Sequence, residues 1–309
     1  MTHSTVRVAV VGVGHVGALH AQIYATLPHV KLVAVCDLDQ AKAQALATQL
    51  GCQAVASPGE LKGLAEAASV ATPTSSHATV GKQLLEAGLH VLMEKPLAES
   101  LEGADQLIDL ARRRRVSLQV GHIERFNSAI QEAKRHLTHP RFIEVHRLSP
   151  YPFRGLDVSV ILDVMIHDLD LVLDVVGTTP SRIDAVGVSV LSQSEDIANA
   201  RLTFPTGCVA NLTASRVSDE TLRRFRVFQE DGYMSIDSKD QSVELARKVD
   251  HTIRRETLPV DRRPPLNEEL AAFLHAVRTS TPPLIPGEAG RQALALALDI
   301  ERAMRQTKG

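Results

Sequence analysis

The sequence predicts an α/β protein of two domains, a parallel sheet with interleaved helices first and an α+β domain with a largely antiparallel open sheet second. Three observations carry this. The chain has 309 residues, past the length at which one hydrophobic core keeps growing. An apolar run, Arg7 to Val11, passes directly into a glycine-rich turn and then a helical pattern. After Gly121 the alternation of strand and helix gives way to runs with a period of two, separated by turn residues.

Element by element, the first part reads as strand Arg7 to Val11, the turn Gly12, Val13, Gly14, His15, Val16, Gly17, and a helix from Ala18 to Leu27. In a strand–turn–helix of this kind the first glycine permits the tight turn and the second lets a pyrophosphate approach the backbone. The third lets helix pack on strand, with the anion at the helix N-terminus. Gly12, Gly14, His15, Val16 and Gly17 are therefore candidate dinucleotide contacts, and the domain reads as a Rossmann domain over residues 1–121. Strand Lys31 to Cys36 ends in Asp37, placed to accept hydrogen bonds from a ribose diol. A 2'-phosphate would meet that carboxylate, and Leu38 and Asp39 offer no cation to offset it, so NAD is the expected cofactor.

The alternation continues through helix Gln40 to Leu50, a strand near Gln53 to Ala56, helix Pro58 to Ala65 and strand Ala68 to Ala71. Thr72, Pro73 and, opening the next helix, His77 lie past a carboxyl strand end, where open parallel sheets bind ligands. Strand His90 to Met93 delivers Glu94, Lys95 and Pro96, a turn with a lone cation that is either solvated or placed for chemistry. Helix Leu101 to Arg115 ends in a basic run that complements the helix dipole and faces solvent. Strand Ser117 to Val120 closes the domain.

Residues 122–309 read as a second domain built on a largely antiparallel sheet. Phe142 to Leu148, Ile183 to Leu191, the hairpin Ala198 to Ala214, Arg223 to Gln229, Tyr233 to Ile236 and Val243 to Arg247 supply its strands. Asn267 caps a helix to Thr279, and a last helix, 287–306, is expected to pack back on the first domain.

Composition narrows the partners. Hydrophobic residues make up 44% and charged residues 23%, with a net charge of -2, so nothing global points to nucleic acid or an anionic membrane. No apolar stretch is long enough to span a bilayer, and no signal peptide precedes Val8. Cys36, Cys52 and Cys208 form no close pair, so a reducing cytoplasm is the expected location.

Between the second-domain strands, Ser159 to Val176 reads as a buried helix carrying Asp163, His167, Asp170 and Asp174 on one face. Buried without partners these groups would cost several kcal/mol, roughly 2 to 7 for a neutral polar group. They must face a wet cleft or one another. The stripe reads as a solvated face with helix ion pairs, as a metal site from Asp163, His167 and Asp170, or as a general base, His167, oriented by Asp163. A second His at matching spacing is missing, so no metal is expected. Alcohol oxidation needs a base for the hydroxyl proton and a cation to steady the developing alkoxide, and His167 and Lys95 fit those roles.

As a set, Gly12, Gly14, Gly17 with Asp37, then Thr72, Pro73 and His77, then Glu94, Lys95 and Pro96, then Asp163 through His167 and Asp168, resemble the Gfo/Idh/MocA family of NAD(P)-dependent sugar oxidoreductases. The resemblance implies that Lys95 and His167 contact the reacting hydroxyl and that Glu94 and Pro96 shape the nicotinamide pocket. It also implies a homo-oligomer, dimer or tetramer, joined through the open sheet. A narrower likeness, over Gly121 to Asn127, Arg147 to Asp157 and Ala210 to Arg216, is to the UDP-N-acetylglucosamine 3-dehydrogenases. These oxidise the sugar 3-hydroxyl so that a partner aminotransferase can install a 3-amino group for lipid A. On that likeness Arg125, Asn127, Arg147, Arg154, Asp163, His167 and Arg216 are expected to meet the nucleotide sugar. Arg147, Arg154, Arg216 and Arg223 would supply charge to the UDP pyrophosphate. A UDP-hexosaminuronic acid, a polyol such as inositol, and a noncatalytic NAD-sensing role stay open as alternatives.

Overall fold

The computed structural model describes residues 5–151 and 158–307. These form two compact units, one running to His122 and taking in Leu266–Arg291, the other comprising Ile123–Pro265 and the chain from Gln292. The sequence reading placed all of 122–309 together. The segment 266–291 joins the first unit because its apolar residues Leu270, Phe273 and Leu274 complete a core with Val8, Val10 and Leu92.

In the first unit six strands, β1 (Val6–Val11), β2 (Val30–Cys36), β3 (Gln53–Val55), β4 (Ala67–Val70), β5 (His90–Glu94) and β6 (Leu118–Gly121), pair in the order β3-β2-β1-β4-β5-β6, all parallel. The order reverses between β1 and β4, which opens a crevice beyond their carboxyl ends. Helices α1 (His15–Tyr24), α2 (Gln40–Leu50), α3 (Thr74–Glu86) and α4 (Leu101–Arg114) connect the strands. Helix α2 is capped by Asp39, which accepts from the Lys42 N–H, and closed by Gly51 at φ 68°. The helix expected over 58–65 is only a 3-10 turn, Pro58–Leu61, because Gly63 turns the chain at φ 77°.

The second unit contains α5 (Ser128–Lys134), β7 (Phe142–Leu148), α6 (Ile166–Val176), β8 (Arg182–Val188), β9 (Ile197–Thr203), β10 (Val209–Ser215), β11 (Leu222–Gln229), β12 (Gly232–Asp237), β13 (Ser242–Val249) and β14 (Thr252–Leu258). The sheet order is β14-β13-β12-β11-β7-β10-β9-β8, and among its pairs only β7 with β10 is parallel. Two helices complete the chain, α7 (Pro265–Thr279) with the first unit's core and α8 (Gly287–Thr307), whose Leu296, Ala297, Ile300 and Met304 join α5 and α6 on one face of the large sheet. Burial along β7 and β10 alternates, so one face makes the core and the other stays partly open. Strand β14 escaped the sequence reading because Thr252 through Thr257 are all exposed, an edge strand without an apolar face.

Candidate active site

The glycine turn is shaped by close approach. Gly12 has φ 88°, and a Cβ there would lie 2.7 Å from the Ala71 carbonyl carbon and oxygen, so only glycine lets the turns after β1 and β4 lie together. A Cβ on Gly17 would sit 1.8 Å from the Gly12 carbonyl oxygen, which fixes α1 against the turn. Gly14 differs, because a Cβ there would meet nothing within 4 Å. That open space lies at the N-cap of α1, whose first helical bond runs from the Ala18 N–H to the Gly14 oxygen. The N–H groups of the first turn and the dipole behind them suit a pyrophosphate. Asp37 is held beside this turn by the Val13 N–H at 2.7 Å to Oδ2 and the Asp39 N–H at 2.8 Å to Oδ1. Leu38 next to it is 98% exposed, and Lys42, the nearest cation in sequence, pairs with Asp39. The residues present thus fit a nicotinamide dinucleotide.

His77 is buried, with Nδ1 2.8 Å from the Pro96 carbonyl and Nε2 2.9 Å from the Thr72 carbonyl. Burial lowers its pKa and outweighs the two carbonyls, which favour the charged ring. The ring therefore fastens the Thr72–Pro73 loop to the Lys95–Pro96 loop. A direct cofactor contact was expected of His77, but its ring nitrogens face the protein. The Lys95–Pro96 bond is cis. Glu94 leaves β5 toward α1: its Oε1 is 3.3 Å from His20 Nε2 and its Oε2 accepts the Lys95 N–H at 3.3 Å. Gly121 on β6 makes room for this carboxylate, since a Cβ there would come within 3.0 Å of it. Burial pushes the Glu94 carboxyl up, but His20 and then Lys95 pull it below its ordinary range. His20 and Tyr24 went unnoticed in the sequence. The signal was available, because they share with Gly17 and Ala21 the spacing of the buried face of α1.

In the second unit the expected polar stripe divides. The helix foreseen over 159–176 starts as a π-turn, Ile161–Met165, before α6 begins, a wide turn common at functional positions. Asp163 and His167 keep partial exposure along it. Asp170 is buried and accepts both Arg125 Nε at 2.6 Å and Nη2 at 2.7 Å, and Asp174 takes Arg125 Nη1 at 2.9 Å and Lys134 Nζ at 2.5 Å. Arg125 thereby takes Asp170 away from a metal set. Among the described residues no group of three or more His, Cys, Asp or Glu could hold a metal ion.

The arginines expected to meet a pyrophosphate are engaged in the fold. Arg147 is buried and forks onto Asp168 at 2.8 and 2.7 Å while reaching Glu124 at 2.8 Å. Burial alone would lower its pKa; Asp168 and Glu124 reverse this and raise it. Arg216 is fully buried, donating to Asp196 at 2.9 Å and to the Val158 carbonyl and Ser194 Oγ at the same distance. Asn127 caps α5 through the Ala129 N–H and donates to the Ser238 carbonyl. Sequence could not separate these from ligand contacts, since their carboxylate partners lie up to 49 residues away, as for Arg125 with Asp174. Arg223 is exposed, 3.8 Å from Glu124, and Arg154 lies outside the described residues.

Residues 6–122 match the oxidoreductase family with an NAD-binding Rossmann fold, Gfo/Idh/MocA, and residues 129–235 match a Gfo/Idh/MocA C-terminal domain. The chain belongs to the Gfo/Idh/MocA family. It is an oxidoreductase that uses a nicotinamide cofactor. Among its Gfo/Idh/MocA relatives is the UDP-N-acetylglucosamine 3-dehydrogenase of Acidithiobacillus ferrooxidans, 39% identical over 96% of this chain and 97% of that protein. The solved structure of that enzyme superposes with a TM-score of 0.92 over 96% of this chain and 97% of its own. The myo-inositol 2-dehydrogenase of Thermotoga maritima is 26% identical over 98% of this chain and 97% of that protein. Among the described residues no helix of this Gfo/Idh/MocA protein is long and apolar enough to cross a membrane.

Proposed function

We propose that this enzyme uses NAD to oxidise the 3-hydroxyl of UDP-N-acetylglucosamine to the 3-keto sugar. The observation that carries the reading is the 39% identity to a UDP-N-acetylglucosamine 3-dehydrogenase over 96% of this chain and 97% of that protein, against 26% to an inositol enzyme over 98% of this chain. NAD rather than NADP is supported by Asp37 with exposed Leu38 beside it, where a 2'-phosphate would meet a carboxylate without a compensating arginine.

Gly12, Gly14 and the first turn of α1 hold the pyrophosphate, Asp37 the adenosine ribose, and Thr72, Pro73, Glu94 and Pro96 frame the nicotinamide. When bound, nicotinamide supplies the hydride acceptor. His167 takes the proton of the 3-hydroxyl as the C–H bond gives up its electron pair, and Asp163, one turn earlier, orients the ring. Lys95 donates a charged hydrogen bond to the same oxygen and stabilises the negative charge that develops before the carbonyl forms. A 3-keto nucleotide sugar is a substrate for transamination, so the product passes to an aminotransferase on the route to lipid A. The chain forms a homo-oligomer in the cytoplasm, and exposed Val186 and Val188 on β8 support assembly through the large sheet.

The test is incubation of purified protein with UDP-N-acetylglucosamine and NAD, with a ketone scavenger to draw the reaction forward and NADH followed by absorbance. Appearance of NADH is expected. Absence of NADH, with cofactor binding demonstrated, overturns the substrate assignment, and indifference to competing free UDP transfers the enzyme to the polyols.

A further inference from the structure

Glu269 lies on α7 beside Leu270, which packs in the first unit's core. It is fully buried, and neither carboxyl oxygen has a hydrogen-bond partner among the described residues. An ionised carboxylate so placed would lose its hydration without compensation, a far larger cost than for a neutral acid. One neighbouring charge, the Glu94 carboxylate, makes the same demand. Helix α1 brings His20 and Tyr24, both fully buried, with the Tyr24 hydroxyl 2.6 Å from Ser69 Oγ on β4. Strand β5 ends in Glu94, followed by Lys95, and β6 adds buried Gln119, which its register with Leu92 places on the same side of the sheet as Glu94. The negative charge of Glu94 acts on both Glu269 and Tyr24. Burial first, and Glu94 second, hold the Glu269 carboxyl well above the ordinary range, whereas His20 and Lys95 hold Glu94 below it.

We propose that Glu94 and Glu269 are a coupled acid pair holding one proton and one negative charge, with the proton on Glu269, and that Glu269 is thereby a positioning residue for the turn Glu94, Lys95, Pro96. With a single charge in the pair, the Glu94 carboxylate stays with His20 and the Lys95 N–H. A second charge behind it would repel Glu94 from the core and displace the backbone that carries Lys95. The positioning role rests on the reading that this turn frames the nicotinamide; the charge state does not.

The experiment is an infrared titration of the carboxyl C=O stretch in the full-length protein, wild type, E269Q and E94Q. A protonated-carboxyl band is expected in the wild type at neutral pH, missing from E269Q, with its titration midpoint at least one pH unit lower in E94Q. No such band at neutral pH, or a midpoint unmoved by E94Q, overturns the pair. The positioning role is read from NADH affinity against pH by fluorescence, which requires no sugar and so is independent of the substrate assignment. Wild-type affinity is expected to fall severalfold on the alkaline side at the infrared midpoint, and E269Q, whose neutral amide cannot ionise, to lack that fall. The same alkaline fall in E269Q overturns the role.

Discussion

The two units treat buried charge in opposite ways. In the second, Arg147 with Asp168 and Glu124, Arg125 with Asp170 and Asp174, and Arg216 with Asp196 form paired sets with donors forked onto carboxylates. In the first, buried His20, Gln119 and Glu269 hold side-chain atoms without hydrogen bonds among the described residues. Forked pairs are rigid, because most of their donors and acceptors already have partners, Glu124 Oε2 being an exception among the described residues. An under-bonded titratable group can still change its proton count. Buried arginines are paired with carboxylates in one unit, while the other holds buried imidazole, amide and carboxyl atoms without hydrogen bonds among the described residues.

The largest effect should come from the two chemical groups. K95A and H167A are each expected to lower kcat by roughly 10²- to 10⁴-fold while NADH binding survives; rates near wild type would remove either residue from the mechanism. The next tests the scaffold. Breaking the Arg147 set with R147M should destabilise the fold by about 3–5 kcal/mol in denaturant unfolding, because Asp168 and Glu124 are left buried without their partner. A combined apolar replacement of Arg147 and Asp168 should recover part of that loss, and no recovery would mean that the pair does more than compensate itself. D37A should weaken NAD binding by about 10- to 100-fold, the loss of hydrogen bonds to a charged acceptor, and narrow the preference over NADP; an unchanged preference would take Asp37 out of cofactor selection.

The smallest effect concerns stability against pH. Glu269 is raised in the folded protein, so between its unfolded pKa near 4.5 and its folded value the unfolded chain releases a proton that the folded one keeps, and stability falls as pH rises. E269Q should therefore melt at a higher temperature than wild type at neutral pH, and the difference should close below about pH 4.5. A gap that is constant with pH would deny Glu269 its retained proton.

The glycine turn, Asp37 and the parallel strand pattern were legible because each is local: turn geometry, strand period and helix capping act over a few residues. Lys95 and His167 could be singled out by residue type and by what ends the strand or interrupts the apolar helix. The arginines could not be sorted, since what decides between a ligand contact and a scaffold pair is a carboxylate distant in sequence. The stripe on 163–174 failed as a unit for the same reason, because Arg125 and Lys134 claim its later carboxylates and the π-turn resets its beginning.

The sequence by itself determined the glycine turn after the first strand and the alternation of strands and helices in the first domain, both set by short-range sterics and patterning. Only the tertiary structure decided that Leu266–Arg291 completes the first unit, that His77 fastens two loops, and that Glu269 is buried without a hydrogen-bond partner among the described residues. Those facts depend on desolvation and on partners brought together by packing, and neither is written in any one stretch of chain.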